Sequence, residues 1–224
     1  MILANVTLEA IGPGTSALDH KAFPIAKLYD EYGNSVPDQV WYDGTFTCEG
    51  EIPPPEPDTF TKPLSTGWNL VSLPLTNETD MTVANIIEAS LSGSYDALHK
   101  YDVATHSFVS LGLSDPMENG VGYFIHMTAD DTWTYQGTAY TSMTASLVQG
   151  LNMVGWVNET DSALPGALDS ISGNYRYVAR WNAGNQSYGV YLPGAPDVFN
   201  DFATLERGEG YFIAATAGCM LTYP

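Results

Sequence analysis

The stretch GVGYFIHM, residues 120–127, returns 88 residues later as GEGYFIAA, residues 208–215. The text upstream of each copy repeats as well. GWNLVSLPLTNETD (67–80) matches GLNMVGWVNETD (150–161), and SGSYDALHKYDVATHSFVSL (92–111) matches SGNYRYVARWNAGNQSYGVYL (172–192). The offset is 83 residues at the first glycine, 80 through the middle and 88 at the end. The second copy therefore carries about eight extra residues, and they fall in LPGAPDVFNDF, residues 192–202. Agreement in order, spacing and residue type marks a doubled unit.

Each unit reads as short strands with one short helix. NLVSLPL and NMVGWV are continuous apolar runs, the pattern of strands buried on both sides. TVANIIEASL (82–91) and SALPGALDSI (162–171) space their apolar residues by three and four, which predicts a helix in each copy. Asp80 or Thr82 is the candidate cap of the first, Asp161 or Ser162 of the second. DALHKYD and SFVSL flank VATH as a hairpin, and YVARWN and SYGVYL flank AGNQ in the same way. GVGYFIHM and TWTYQG flank TADD as another, with GEGYFIAA, TAGC and MLTYP its counterpart. The glycines before Tyr123 and Tyr211 read as positions of positive φ or a bulge. Leu70, Val71, Phe124 and Ile125, with Met153, Val154, Phe212 and Ile213, are the expected core. No flexible linker separates the copies, so they are expected to pack as one body with approximate two-fold symmetry. The fold class is thus mostly β (α+β with short helices), with a partial β segment ahead of the doubled body. The expected divisions are 1–48, a Pro-rich linker 49–64 built on EGEIPPPEPDTFTKP, unit 1 at 65–141 and unit 2 at 142–224.

Composition narrows the function classes. Seven Lys and Arg stand against 26 Asp and Glu, a net charge of −19, although only 15% of residues are charged. Such a body repels phosphate backbones and anionic lipid, which argues against nucleic acid and membrane surfaces as partners. No apolar run reaches the length of a membrane span. MILANVTLEA has neither a basic n-region nor an apolar core before a cleavage site, so it does not read as a signal peptide. Four Asn-x-Ser/Thr triplets, at Asn5, Asn77, Asn158 and Asn185, are glycosylation candidates. With two cysteines and abundant Tyr and Trp, they suit an extracellular setting. Cys48 and Cys219 would pair in an oxidising compartment; buried, unpaired thiols are the alternative.

Residues 1–48 resemble the C-terminal part of a cohesin-like β module. The matches are ANVTLEA (4–10), GPGTSAL (12–18), LYDEYGNSV (28–36) and VWYDGTFT (40–47), the last with Trp41 and Tyr42 inserted before Asp43-Gly44. Only the final strands of such a module are represented. Its unpaired edges imply that residues 5–10 or 44–48 add to a sheet edge of this chain or of a neighbour. Residues 65–224 in turn resemble the GWNLVSLP…GYFI repeats of large surface proteins of methanogenic archaea and of some secreted bacterial proteins. That resemblance implies a cell-surface location, a structural or adhesive setting and no assigned enzyme activity.

The search for chemistry yields recognition residues rather than a reaction. No Gly-x-Ser-x-Gly, His-Glu-x-x-His or phosphate-binding glycine loop occurs. The four histidines have no metal-ligand spacing. Acidic turns holding Asp130 and Asp131, and Asp197 and Asp201, offer oxygen ligands to Ca²⁺; solvated turns are the plainer reading. No other cofactor is indicated. Trp68, Trp156 and Trp181 are the candidate ligand aromatics. The expected function is a non-enzymatic structural or adhesion segment of a larger extracellular protein. Its partners would be other surface chains or copies of itself. The alternatives are a binding module for a glycan or a dockerin-like protein partner and, more distantly, an accessory domain of a secreted hydrolase.

Overall fold

A strand that is apolar on both faces needs two packing partners, and the inner strands of this protein have them. In a computed structural model, the described residues are 14–18, 44–48, 57–140 and 142–223. The chain forms two compact units, Met1–Pro55 and Glu56–Pro224. In the first, β1 (Gly14–Leu18) pairs antiparallel with β2 (Gly44–Cys48), Gly14 opposite Cys48 and Leu18 opposite Gly44. GTFTC thus finds its partner in the GTSAL portion of the second matched segment. Residues 5–10 lie outside the described residues.

The second unit is mostly β and holds both copies. The first copy contains β3 (Asp58–Leu64), β4 (Gly67–Ser72), β5 (Leu75–Thr76), a wide helical turn (Ala84–Glu88) running into α1 (Ala89–Leu91), β6 (Tyr95–Asp102), β7 (Ser107–Ser110), β8 (Gly122–Met127) and β9 (Asp131–Ala139). The second contains β10 (Thr144–Leu147), β11 (Gly150–Gly155), β12 (Ser162–Ala163), a 3₁₀ segment (Gly166–Ile171), β13 (Tyr175–Asn182), β14 (Ser187–Tyr191), a short turn (Asp197–Phe199), β15 (Thr204–Leu205), β16 (Gly210–Ala215) and β17 (Cys219–Thr222). The two four-stranded antiparallel sheets have the same order, β4-β8-β6-β7 and β11-β16-β13-β14. Their registers also correspond. Leu70 faces Phe124 as Met153 faces Phe212, and the same irregularity follows Tyr95 and Tyr175.

Side chains alternate across these sheets. On β8, Tyr123, Ile125 and Met127 enter the core of the first copy, under α1 and β9; Phe124 points the other way. On β16, Tyr211, Ile213 and Ala215 enter the second core, and Phe212 points away. The residues pointing away meet one another: Leu70, Phe124, Met153, Ala179 and Phe212 form a third cluster, which joins the copies. All eight residues expected in the core are buried.

The repeated G-x-G-Y-F-I now has a reason at each position. Gly120 and Gly208 take positive φ, +75° and +78°, which an L side chain resists. Gly122 and Gly210 serve closeness instead. A Cβ on Gly122 would stand 2.9 Å from the Met153 side chain, and one on Gly210 2.7 Å from Leu70. The Tyr123 and Tyr211 hydroxyls each accept a 2.7 Å hydrogen bond, from the N–H of Glu118 and of Glu206, and so fix the loops leading into β8 and β16. The buried Asn69 and Asn152 likewise close matching turns onto Ser65 and Val148.

The contact between copies is reciprocal. Ser72 N–H donates to Gly208 O and Gly155 N–H to Gly120 O, both at 2.9 Å. Symmetry fails where these equivalent residues meet: a Cβ on Gly155 would lie 2.3 Å from the Cβ of Ser72. Only one of the two positions has room for a side chain. Ser72 Oγ uses that room to donate toward Glu209 O at 2.9 Å and Trp156 O at 3.2 Å.

Several expectations are corrected. TADD and TAGC do not close hairpins, because β8 and β16 already have strands on both sides; β9 pairs with β3 and β5, and β17 with β10. Asp58–Leu64, expected within the linker, is an edge strand whose Phe60 and Leu64 turn inward. An edge tolerates Pro63 because its missing N–H is not needed there. The second helix is only a 3₁₀ segment, with Pro165 just before it. Neither helical segment has a side-chain cap. Asp161 instead accepts the Arg207 N–H at 2.9 Å, and Ser162 lies in β12. The extra residues of the second copy form the exposed loop around Asp197–Phe199.

Candidate aromatic groove between the copies

Trp68 lies on the same face of β4 as Leu70, at the margin of the cluster joining the copies. His99 on β6, Phe108 on β7 and Phe124 on β8 stand near it, and Trp181 on β13 and Tyr188 on β14 come from the other copy. These six residues line a groove of about 330 Å³. Phe108 and Tyr188 occupy equivalent hairpin positions and are about half exposed, at 51% and 48%.

The groove is held by polar contacts aimed away from it. Trp181 Nε1 donates to Trp68 O at 2.7 Å. Gln186, in the β13–β14 turn, accepts the Trp68 N–H at 2.8 Å and donates to Trp68 O at 3.0 Å. The tip of one copy thereby clasps β4 of the other. His99 Nδ1 lies 3.1 Å from Ser110 Oγ, its cross-strand neighbour. His126 packs on Trp68 at 4.9 Å and pairs with Asp96 at 2.6 Å. Partial burial raises the Tyr188 hydroxyl above its ordinary pKa. The lining contains no carboxylate, lysine or arginine.

A second groove of about 430 Å³ is related to the first by the symmetry of the copies. Leu151, Ala179 and Tyr101 stand there where the first has Trp68, His99 and Trp181, with Phe108, Tyr177, Tyr188, Val190 and Phe212 completing the walls. Both grooves are aromatic, but the first holds the two indoles of Trp68 and Trp181 and the second holds none.

Of the three candidate tryptophans, the structure brings Trp68 and Trp181 together. Trp156 is fully buried in the second core against Tyr223, at 5.2 Å, and cannot meet a ligand. Asp130 accepts the N–H and hydroxyl of Thr66, both at 2.7 Å, and Asp131 accepts Ser94 Oγ at 2.5 Å and the Thr132 N–H at 2.7 Å. These bonds hold both carboxyls below the usual range. Asp201 accepts the Val190 N–H at 2.7 Å, and Asp197 begins its short turn. Among the described residues, no three His, Cys, Asp or Glu side chains converge to hold a metal.

Asn77 and Asn158 are half-buried, and their amides donate to Gln136 O and Ser162 Oγ. Asn185 is exposed in the turn before β14, and Asn5 lies outside the described residues. Cys219 is a half-buried free thiol, raised in pKa by burial; the side chain of Cys48 lies outside those described. Sequence reasoning missed Phe108, Tyr188, Phe124 and His99 as lining residues. The signal was present in HSFV against QSYG, where an aromatic recurs at the same hairpin position. No helix among the described residues is long and apolar enough to cross a membrane. Comparison with protein-family models, curated proteins and solved structures finds no match.

Proposed function

We propose that this chain is a non-enzymatic recognition segment of an extracellular surface protein and that it works through the groove of Trp68 and Trp181. The supporting observation is the lining itself, six aromatic rings drawn from both copies with Phe108 and Tyr188 left half exposed. Exposed aromatic surface disfavours a solitary soluble state, and a binding role accounts for it. The surface setting rests on the resemblance of residues 65–224 to archaeal and bacterial surface repeats. Other surface chains, a second copy of this chain or a glycan are the partner classes that fit such a setting. A glycan is kept as the second reading because two indoles stand in one groove. The groove contains no pair of facing carboxylates, so a hydrolase accessory role draws no support from it.

The test is a nitrogen-labelled spectrum of the whole chain, in which the tryptophan indole N–H signals are assigned. Oligosaccharides, aromatic peptides and small organic cations are then titrated in turn. Recognition through the groove predicts that at least one class shifts the Trp68 and Trp181 signals in a saturable way, leaving Trp133 and Trp156 unmoved. If every class leaves those two signals in place, the groove is not a recognition site.

A further inference from the structure

The chemistry of the groove selects among ligand classes, and this step rests on the recognition reading above. Its rings do not form a flat platform. Trp68 meets Phe124 at 88°, Phe124 meets Trp181 at 82°, Trp181 meets Tyr188 at 75° and Phe108 meets Phe124 at 71°, with centroids 4.8 to 5.9 Å apart. Edge-to-face packing of this kind turns neighbouring ring planes across one another. A sugar ring stacks best on a broad face and needs partners for its hydroxyls. Here the indole N–H of Trp181 and the Nδ1 of His99 are already engaged. Crossed aromatic walls suit a compact ligand that touches several rings at once and asks for few hydrogen bonds.

Charge decides the rest. The ring faces carry negative potential, the chain carries −19, and no lysine or arginine lines the groove to oppose a cation. Among described basic residues, Lys62 is held by Glu209 at 2.6 Å and Arg180 by Glu206 at 2.5 Å, and neither lines the groove. A primary ammonium would lose tightly bound water on entering an apolar site with nothing to replace it. A quaternary ammonium has no N–H to satisfy, and aromatic cages attract it through cation–π contact.

We propose that the groove lined by Trp68, His99, Phe108, Phe124, Trp181 and Tyr188 binds the trimethylammonium group of a small organic cation. The companion groove, lacking Trp68 and His99, is an internal comparison. It has no indole among its lining residues, where the first groove has two, and binds the group more weakly.

The experiment titrates choline into the whole chain by calorimetry and reads saturation transfer from the protein to the ligand's N-methyl protons. A neutral isostere, 3,3-dimethylbutan-1-ol, and cellobiose are run beside it. Saturable choline binding is expected, with the isostere weaker on the order of tenfold and a loss of affinity as salt rises. Glycerophosphocholine separates the sources of the group: weaker binding than choline marks the free cation, and tighter binding marks a headgroup. Trp68→Leu copies the residue at the companion position and should lower affinity at least about fivefold. Tyr188→Ala, at an exposed ring, is the second variant should the first fail to fold. Equal affinity for choline and the isostere overturns the proposal, as does choline that transfers no saturation. In the second case, cellobiose or another probe that shifts the Trp68 and Trp181 indoles leaves recognition standing. If no probe shifts them, recognition falls too.

Discussion

Gly155→Ser tests the reading that the copies pack around one crowded point. The added Cβ would lie 2.3 Å from Ser72 Cβ and 2.7 Å from Val121 O. Neither neighbour is the end of a flexible chain, so relief requires the copies to separate by roughly 1 Å, given ordinary carbon contacts near 3.5–4.0 Å. Overpacking of this kind costs about 1–3 kcal/mol. Separation also loosens the bonds from Gly155 N–H to Gly120 O and from Ser72 N–H to Gly208 O, each worth about 1 kcal/mol net. The expected loss is therefore about 3–5 kcal/mol, a large part of the 5–15 kcal/mol typical of a domain. Urea unfolding followed by tryptophan fluorescence measures it, with the slope of the transition checked for change. The decisive variant is the exchange Ser72→Gly/Gly155→Ser. It removes the clash between the two Cβ atoms, leaves the contact with Val121 O, and should recover at least about half of the loss. If the exchange is no more stable than Gly155→Ser alone, Ser72 and Gly155 do not compete for one space, and the symmetry argument fails.

Phe124→Ala removes a ring that packs on Trp68, Phe108, Trp181 and Phe212; a loss of about 3–5 kcal/mol in the same assay is expected, and a loss under about 0.5 kcal/mol would mean that the ring is not packed. Tyr135→Phe leaves the Leu75 N–H without the hydroxyl that accepts it at 2.9 Å; calorimetry should show a loss of about 1–3 kcal/mol. The Glu209 carboxyl is raised above its ordinary 4.5, chiefly by removal from water, with Lys62 opposing the shift. Its contribution is then greatest below the unfolded pKa and declines as pH rises through the folded one. Stability of the native chain relative to Glu209→Gln should fall from about pH 4.5 upward; a difference that grows with pH would reverse the sign of the argument.

The doubling was legible because strands caught between two cores stay apolar on both faces, which leaves NLVSL, NMVGW and GYFI as landmarks. The β6–β7 and β13–β14 hairpins were legible from their turns. The pairing of β8 was not. TADD looks the same whether the strands beside it pair or part, and the competing partners, β4 and β6, are long-range. Phe60 and Leu64 carried a period-two signal that the neighbouring prolines obscured. The burial of Trp156 was hidden because its counterpart, Leu73, is not aromatic. The groove was half visible: two of its tryptophans could be named, but only the packing of one copy on the other shows that they face a common space.

Each copy presents a face that its sister covers, and residues 140–143 alone connect β9 to β10. An identical molecule offers the same sister face. Tethering keeps the intramolecular partner at an effective concentration in the millimolar range, so dilute chains close on themselves. Refolding at high concentration favours trading halves instead, which yields closed dimers, or open chains where the connection is too short to turn back. The length of that connection is therefore the quantity to vary in a test for exchange, read as mass in solution after refolding at low and high concentration. Shortening the connection drives the chain toward exchange without altering a single packing residue.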